Sequence, residues 1–156
     1  MKPKDLLNQA EHLARLSPLR PKQANLRRSV SASYYAVFHA LCESNANCLV
    51  GTSGTRPDRA WFQTYRSLDH KKAKSSCQAA RSMSFPQEIK DFANSFISLQ
   101  EERHRADYNP DSSMNFSKLE VMALAATARL AVAALKSAPI ADRRAFAVYV
   151  LLPNRL

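Results

Sequence analysis

The chain has 156 residues, 46% of them hydrophobic and 23% charged, which suits one domain spanning 1–156 with a core of its own. Its 23 Lys and Arg against 13 Asp and Glu leave a formal charge of +10, which points to RNA or another polyanion as partner, or else to general basicity without a ligand. Two glycines in one short stretch (Gly51 and Gly54) argue against an all-β fold and exclude a glycine-rich phosphate loop. Cys42, Cys48 and Cys77 show no C-x-x-C spacing, so neither a disulfide framework nor a zinc site is indicated. No metal and no cofactor is expected, and a reducing cytoplasm fits best.

In chain order, Asp5 to Leu16 reads as a first helix, with Leu6, Leu7, Ala10, Leu13 and Ala14 at helical spacing. This amphipathic start is no secretory signal, and Ser17-Pro18 ends it. A second helix runs from about Pro21 to Cys42 or a little beyond. Leu26, Val30, Tyr34, Val37, Phe38 and Leu41 form its core face, and Ser29, Ser33, Ala36 and Ala40 are small enough to admit a close neighbour. A separate polar line holds Arg28, Tyr35 and His39; eleven residues make three helical turns, so Arg28 and His39 nearly eclipse each other. That line either borders a site or is the edge of the core.

Asn45 to Thr55 holds both glycines and is the expected mobile loop. Thr55-Arg56-Pro57-Asp58 then resembles a helix start, and Trp61, Phe62, Tyr65 and Leu68 are expected on the core side of a third helix. Arg66, Lys71, Lys72 and Lys74 follow as the densest basic stretch, either a solvated face or a phosphate contact. Ser82 to Pro86 forms a loop, and Pro86 opens the next helix. Later, Ser117-x-x-Glu120 matches a capping box, although a start near Met114 is also open. The alanine-rich stretch that follows suits close helix packing. Val121 to Leu135, interrupted by Arg129, is too short to span a bilayer, and no membrane association is expected. Ser137 and Pro139 start a short last helix with Phe146, Val150 and Leu151. The whole reads as all-α, an antiparallel bundle of four long helices with short terminal ones.

The helix opened by Pro86 is the most informative. Phe92, Phe96, Leu99, Arg103 and Ala106 share one face, so a permanently charged guanidinium continues an apolar stripe. It must snorkel out or meet a partner. Asp107, four residues on, is placed to be that partner. Yet an Asp beside the Asn109-Pro110 stop lies at the negative end of the macrodipole, where a carboxylate is disfavoured by roughly 0.3–1 kcal/mol. Two readings stand: an Arg–Asp pair closing the last turn, or a helix end shaped by function.

Leu26-Arg27-Arg28-Ser29-Val30-Ser31-Ala32-Ser33-Tyr34-Tyr35-Ala36-Val37-Phe38-His39-Ala40, together with Leu99-Gln100-Glu101-Glu102-Arg103-His104-Arg105-Ala106-Asp107-Tyr108, resembles the HEPN superfamily over about residues 20–135. Its members are small all-α proteins of prokaryotic toxin–antitoxin and defence systems. The resemblance implies a homodimer with two copies of an Arg-polar-…-His motif facing across a cleft, acting as a metal-independent ribonuclease. An antitoxin or nucleotidyltransferase is the partner it suggests. An imidazole moves protons in the attack of a 2′-hydroxyl, and a guanidinium stabilises charge developing on the phosphoryl oxygens.

Arg103 matches the family arginine and His104 the polar position after it, but Tyr108 stands where the shortest family spacing puts the histidine. A phenol is a poor base at neutral pH. Three readings follow. The first is a ribonuclease using Arg103, His104, Tyr108 and Asp107, with Arg28, His39, His70, Lys71, Lys72 and Lys74 meeting RNA. The second is an inactive HEPN-like domain that binds RNA, a nucleotide or a partner protein. The third is a structural protein in which these helix ends only hold a dimer.

Overall fold

The computed structural model describes residues 1–16, 19–111 and 113–155, and among them the chain is all-helical, with seven helices and no strand. α1 (Pro3–Arg15) starts on Pro3, whose missing N–H costs nothing in a first turn, and buries Leu6, Leu7, Ala10 and Ala14. The Ser17-Pro18 break expected after it lies outside the described residues. α2 (Gln23–Leu49) is the longest helix, and its small residues bring α1 close. Ser29 Oγ donates to the Ala10 carbonyl at 2.7 Å.

α5 (Gln87–Tyr108) runs antiparallel to α2, since Arg27 near the start of α2 meets Ala106 near the end of α5, and Tyr34 meets Phe96. α6 (Lys118–Ser137) completes the long elements. Its start is the capping box: Glu120 N–H donates to Ser117 Oγ at 3.1 Å, and Ser117 N–H to Glu120 Oε2 at 3.3 Å. Ala10, Ala32 and Ala125 meet where α1, α2 and α6 cross. Arg129, the charge within the apolar run of α6, reaches Glu11 Oε1 at 2.6 Å and Asn8 Oδ1 at 3.1 Å on α1. That hydrogen bond holds the Glu11 carboxyl below its ordinary range.

The main core packs α2 and α5 around Tyr34, Leu41, Ile89, Phe92, Phe96 and Leu99. α7 (Ile140–Leu151) turns 112° away from α6 and closes one end with Phe146 and Val150. Among the described residues, no single helix is long and apolar enough to cross a membrane.

Three expectations need correction. The loop expected at Asn45–Thr55 begins only after Leu49, because Asn45, Ala46 and Cys48 are buried and draw α2 onward. Gly51, two residues past the end of α2, closes the helix: its N–H donates to the Asn47 carbonyl at 3.0 Å, in a backbone with φ of +109°. The third helix is two: α3 (Asp58–Arg66) and α4 (His70–Ala80), separated by Ser67-Leu68-Asp69. Asp69 is an N-cap, accepting from Lys72 N–H at 2.8 Å, and therefore interrupts the helical pattern that the basic run continues. Finally, α3 buries no residue. Trp61 and Tyr65 are only half-covered and Phe62 is exposed; Leu68, past its end, alone enters the core.

Candidate functional site

Arg103 sits one turn from the end of α5, on the face whose preceding members Phe92, Phe96 and Leu99 are sealed in the core. Its side chain is 11% exposed. Aromatic rings surround the guanidinium: Cζ lies 4.9 Å from the Tyr34 centroid, 5.8 Å from Tyr35 and 5.8 Å from Tyr108. A buried cation gains from aromatic faces because the ring quadrupole replaces part of the lost hydration.

The other expected compensation is weak. Arg103 Nη1 lies 3.8 Å from Asp107 Oδ2, a long ion pair, and Arg103 Nε is buried with no hydrogen-bond acceptor. Asp107 instead accepts a hydrogen bond from Ser31 Oγ on α2. Arg105, two residues on, also has a buried Nε without an acceptor, but its Nη1 is closely paired. It contacts Glu102 at 2.8 Å and Glu120 at 3.0 Å, and stacks 4.2 Å from the Phe116 ring.

Tyr34 is fully buried beneath Arg103, and its hydroxyl meets His70 Nδ1 at 2.6 Å. Burial pushes the Tyr34 phenol well above its ordinary value, while the neighbouring Arg103 charge pulls the other way. Burial depresses His70, the Arg103 charge depresses it further and the Asp69 charge opposes them, so the neutral imidazole is favoured. Its ring stacks on Phe38 with centroids 3.9 Å apart. α4 therefore delivers His70 inward, onto the tyrosine that carries Arg103.

The polar line of α2 lies on the other side of Tyr35. Arg28, Ser31, Tyr35 and His39 line a groove of about 340 Å³ whose opposite wall is Leu6, Gln9 and Leu13 of α1. Ser31 and Tyr35 belong to both places, one through Asp107 and the other through Arg103. His39 Nδ1 is 2.7 Å from the Tyr65 hydroxyl, and burial lowers its basicity as well. Arg28 is exposed and makes no hydrogen bond or ion pair among the described residues.

The other candidates are dispersed. His104 and Tyr108 are exposed and touch each other, ring centroids 4.9 Å apart, with Tyr108 63% exposed. Lys72 Nζ donates to the Leu152 carbonyl at 2.7 Å, tying α4 to the end of α7, and Lys74 pairs with Glu101 at 3.2 Å. Lys71 remains exposed and makes no such bond among the described residues.

Sequence reasoning missed three participants. Tyr34 reads as core and is core, yet its hydroxyl bonds His70 while its ring lies under Arg103. Ser31 has no signal beyond lying one turn from Arg28 and Tyr35. Arg27 caps the same helix end, donating to the carbonyls of Ala106 at 2.8 Å and Asn109 at 3.1 Å. That bond offers a further reason for two consecutive arginines, one inward and one outward.

Among the described residues, no group of three or more His, Cys, Asp and Glu is gathered closely enough to hold a metal ion. Chemically, the face offers cations, aromatic planes and neutral imidazoles, a set matched to an anionic ligand carrying rings. Compared with known protein families, with curated proteins and with solved structures, the chain has no match.

Proposed function

We propose that the chain is a HEPN-like helical domain that binds RNA along the face shared by α2 and the end of α5. The observation that carries this reading is Arg103 itself: a charge placed on the core side, incompletely paired, and held by three tyrosine rings beside a groove that presents Arg28. Phosphate and base stacking are the two interactions such a set supplies. Binding is favoured over cleavage because His104 and Tyr108 point to solvent while the guanidinium does not. With this reading come a homodimer in a cytoplasmic toxin–antitoxin or defence setting and an antitoxin or nucleotidyltransferase partner.

The test is a titration of labelled single-stranded RNA at several salt concentrations. Affinity is expected to fall linearly on a log–log plot, and Arg28→Ala to reduce the slope by about 0.7, the value for one single-strand phosphate contact. Absence of binding at low salt, or equal binding by Arg28→Ala and Arg103→Met, overturns the proposal.

One observation favours a second reading, a metal-independent ribonuclease. His70 is a neutral imidazole within the field of Arg103, oriented by Tyr34. On this reading it accepts the 2′-hydroxyl proton as that oxygen attacks the adjacent phosphorus, and returns it to the 5′-oxygen as the P–O5′ bond breaks, while Arg103 steadies the phosphoryl charge. Fragments ending in cyclic phosphate that disappear with both Arg103→Met and His70→Gln would establish it; intact RNA would remove it.

A further inference from the structure

α3 is an amphipathic helix that buries nothing, although it carries Trp61, Phe62 and Tyr65. Phe62 is 49% exposed and lies between Arg59 and Arg66 in an open trough of about 630 Å³, completed by Gln63 and Ser67. Phe62, Gln63 and Arg66 stand three, four and seven residues after Arg59, which puts the four on one helical stripe. No carboxylate lines that trough. The nearest on α3, Asp58, is engaged by Arg56 at 3.3 Å.

The rings of α3 also continue those of the Arg103 cage. Tyr35 is 6.3 Å from His39 between centroids, His39 5.9 Å from Tyr65, Tyr65 5.2 Å from Trp61, and Trp61 5.3 Å from Phe62. Guanidinium groups accompany the far end, Arg56 4.3 Å from the Trp61 ring and Arg66 5.8 Å from Phe62. An unbroken row of rings therefore leads from Arg103 to an exposed phenyl flanked by cations.

We propose that the α3 face is a base-stacking subsite for single-stranded nucleic acid, with a base on Phe62 and the adjoining phosphates on Arg59 and Arg66. It rests on the reading of the chain as a nucleic-acid binder, and adds a second place of contact. Charge decides between this occupant and a second copy of the chain. Two copies paired through α3 would set Arg59 and Arg66 against their own counterparts with no acid in the trough, whereas a strand supplies both the negative charge and the rings.

Trp61 is the only tryptophan, so its fluorescence reports this helix alone. The intact chain is titrated with a short single-stranded oligouridylate and with an abasic oligonucleotide of equal length. The oligouridylate is expected to quench Trp61 and the abasic strand to bind without quenching. Phe62→Ala removes an exposed ring from a helix without buried residues. It is expected to weaken oligouridylate binding roughly 5- to 150-fold, with Phe62→Tyr restoring it. Binding that is lost with Arg28→Ala and Arg103→Met but untouched by Phe62→Ala, with Trp61 unquenched, overturns the subsite and leaves the α2–α5 reading standing. No binding at all at low salt overturns both. Self-association that Phe62→Ala abolishes assigns the face to a second copy and also overturns the subsite.

Discussion

Replacing Arg103 by Met and Asp107 by Asn should have unequal effects, and the inequality follows from the geometry. Keeping the guanidinium in its cage costs several kcal/mol of desolvation, plus about 1–3 kcal/mol for the Nε–H that finds no acceptor. Against this stand three cation–π contacts, each worth about 0.5–2 kcal/mol according to how far the ring is desolvated, and an ion pair stretched to 3.8 Å. The terms nearly cancel. Met fills the same space without charge, and the carboxylate it leaves behind is 30% exposed and still holds Ser31. Arg103→Met should therefore change stability by no more than about 1 kcal/mol, either way. Asp107→Asn instead leaves the buried cation without its only counter-charge among the described residues, and should cost about 1–2 kcal/mol, less than for a fully buried pair because the contact is 3.8 Å long and the carboxylate 30% exposed. For a domain of this size each kcal/mol moves the midpoint by about 2–4 °C. Thermal unfolding of both variants at pH 7.5, followed by circular dichroism, measures the difference. If Arg103→Met melts about 10 °C lower while RNA affinity is unchanged, the arginine is a structural element and the reasoning is wrong.

Acid should destabilise the fold through His70 and His39. Both imidazoles are depressed in the folded chain, chiefly by burial, so the unfolded chain takes up protons first. Their contribution is complete above the unfolded value near 6.5 and is lost as pH falls through the lower folded values. Melting midpoints from pH 8 to pH 5 should drop, and His70→Gln should flatten part of that drop; a parallel curve would show that His70 is not responsible. Gly51→Ala places a Cβ at φ +109° and should cost about 1 kcal/mol, read as a lower denaturant midpoint, although nothing lies within 4 Å of that Cβ. Unchanged stability would mean the backbone relaxes there. All three thiols are buried, with Cys42 and Cys77 pushed up to about 12 by burial, so none should react with an aromatic disulfide reagent at pH 7.5 until the chain unfolds. Fast modification of the native protein would contradict this.

The sequence by itself determined the helices whose boundaries are local chemistry. Pro86, the Ser117–Glu120 capping box, and the Asn109-Pro110 stop act on neighbouring backbone groups, so each can be read without knowing the fold. The apolar stripes of α1, α2 and α5 were equally legible, because burial repeats with the helical turn. The odd member of the α5 stripe, Arg103, stood out for the same reason.

Tertiary structure decided the rest. Periodicity says that a stripe is apolar but not that something covers it, so the aromatic face of α3 reads as core and is left half in solvent. Nor can spacing show that Tyr34 joins His70 to Arg103, since the three lie on different helices, 36 and 33 residues apart. Whether Lys72 and Lys74 face a ligand or the fold depended on where α7 and α5 end up, and both found partners there. A side chain's rotational position on its own helix is a local property; what stands opposite it is set by how the helices pack.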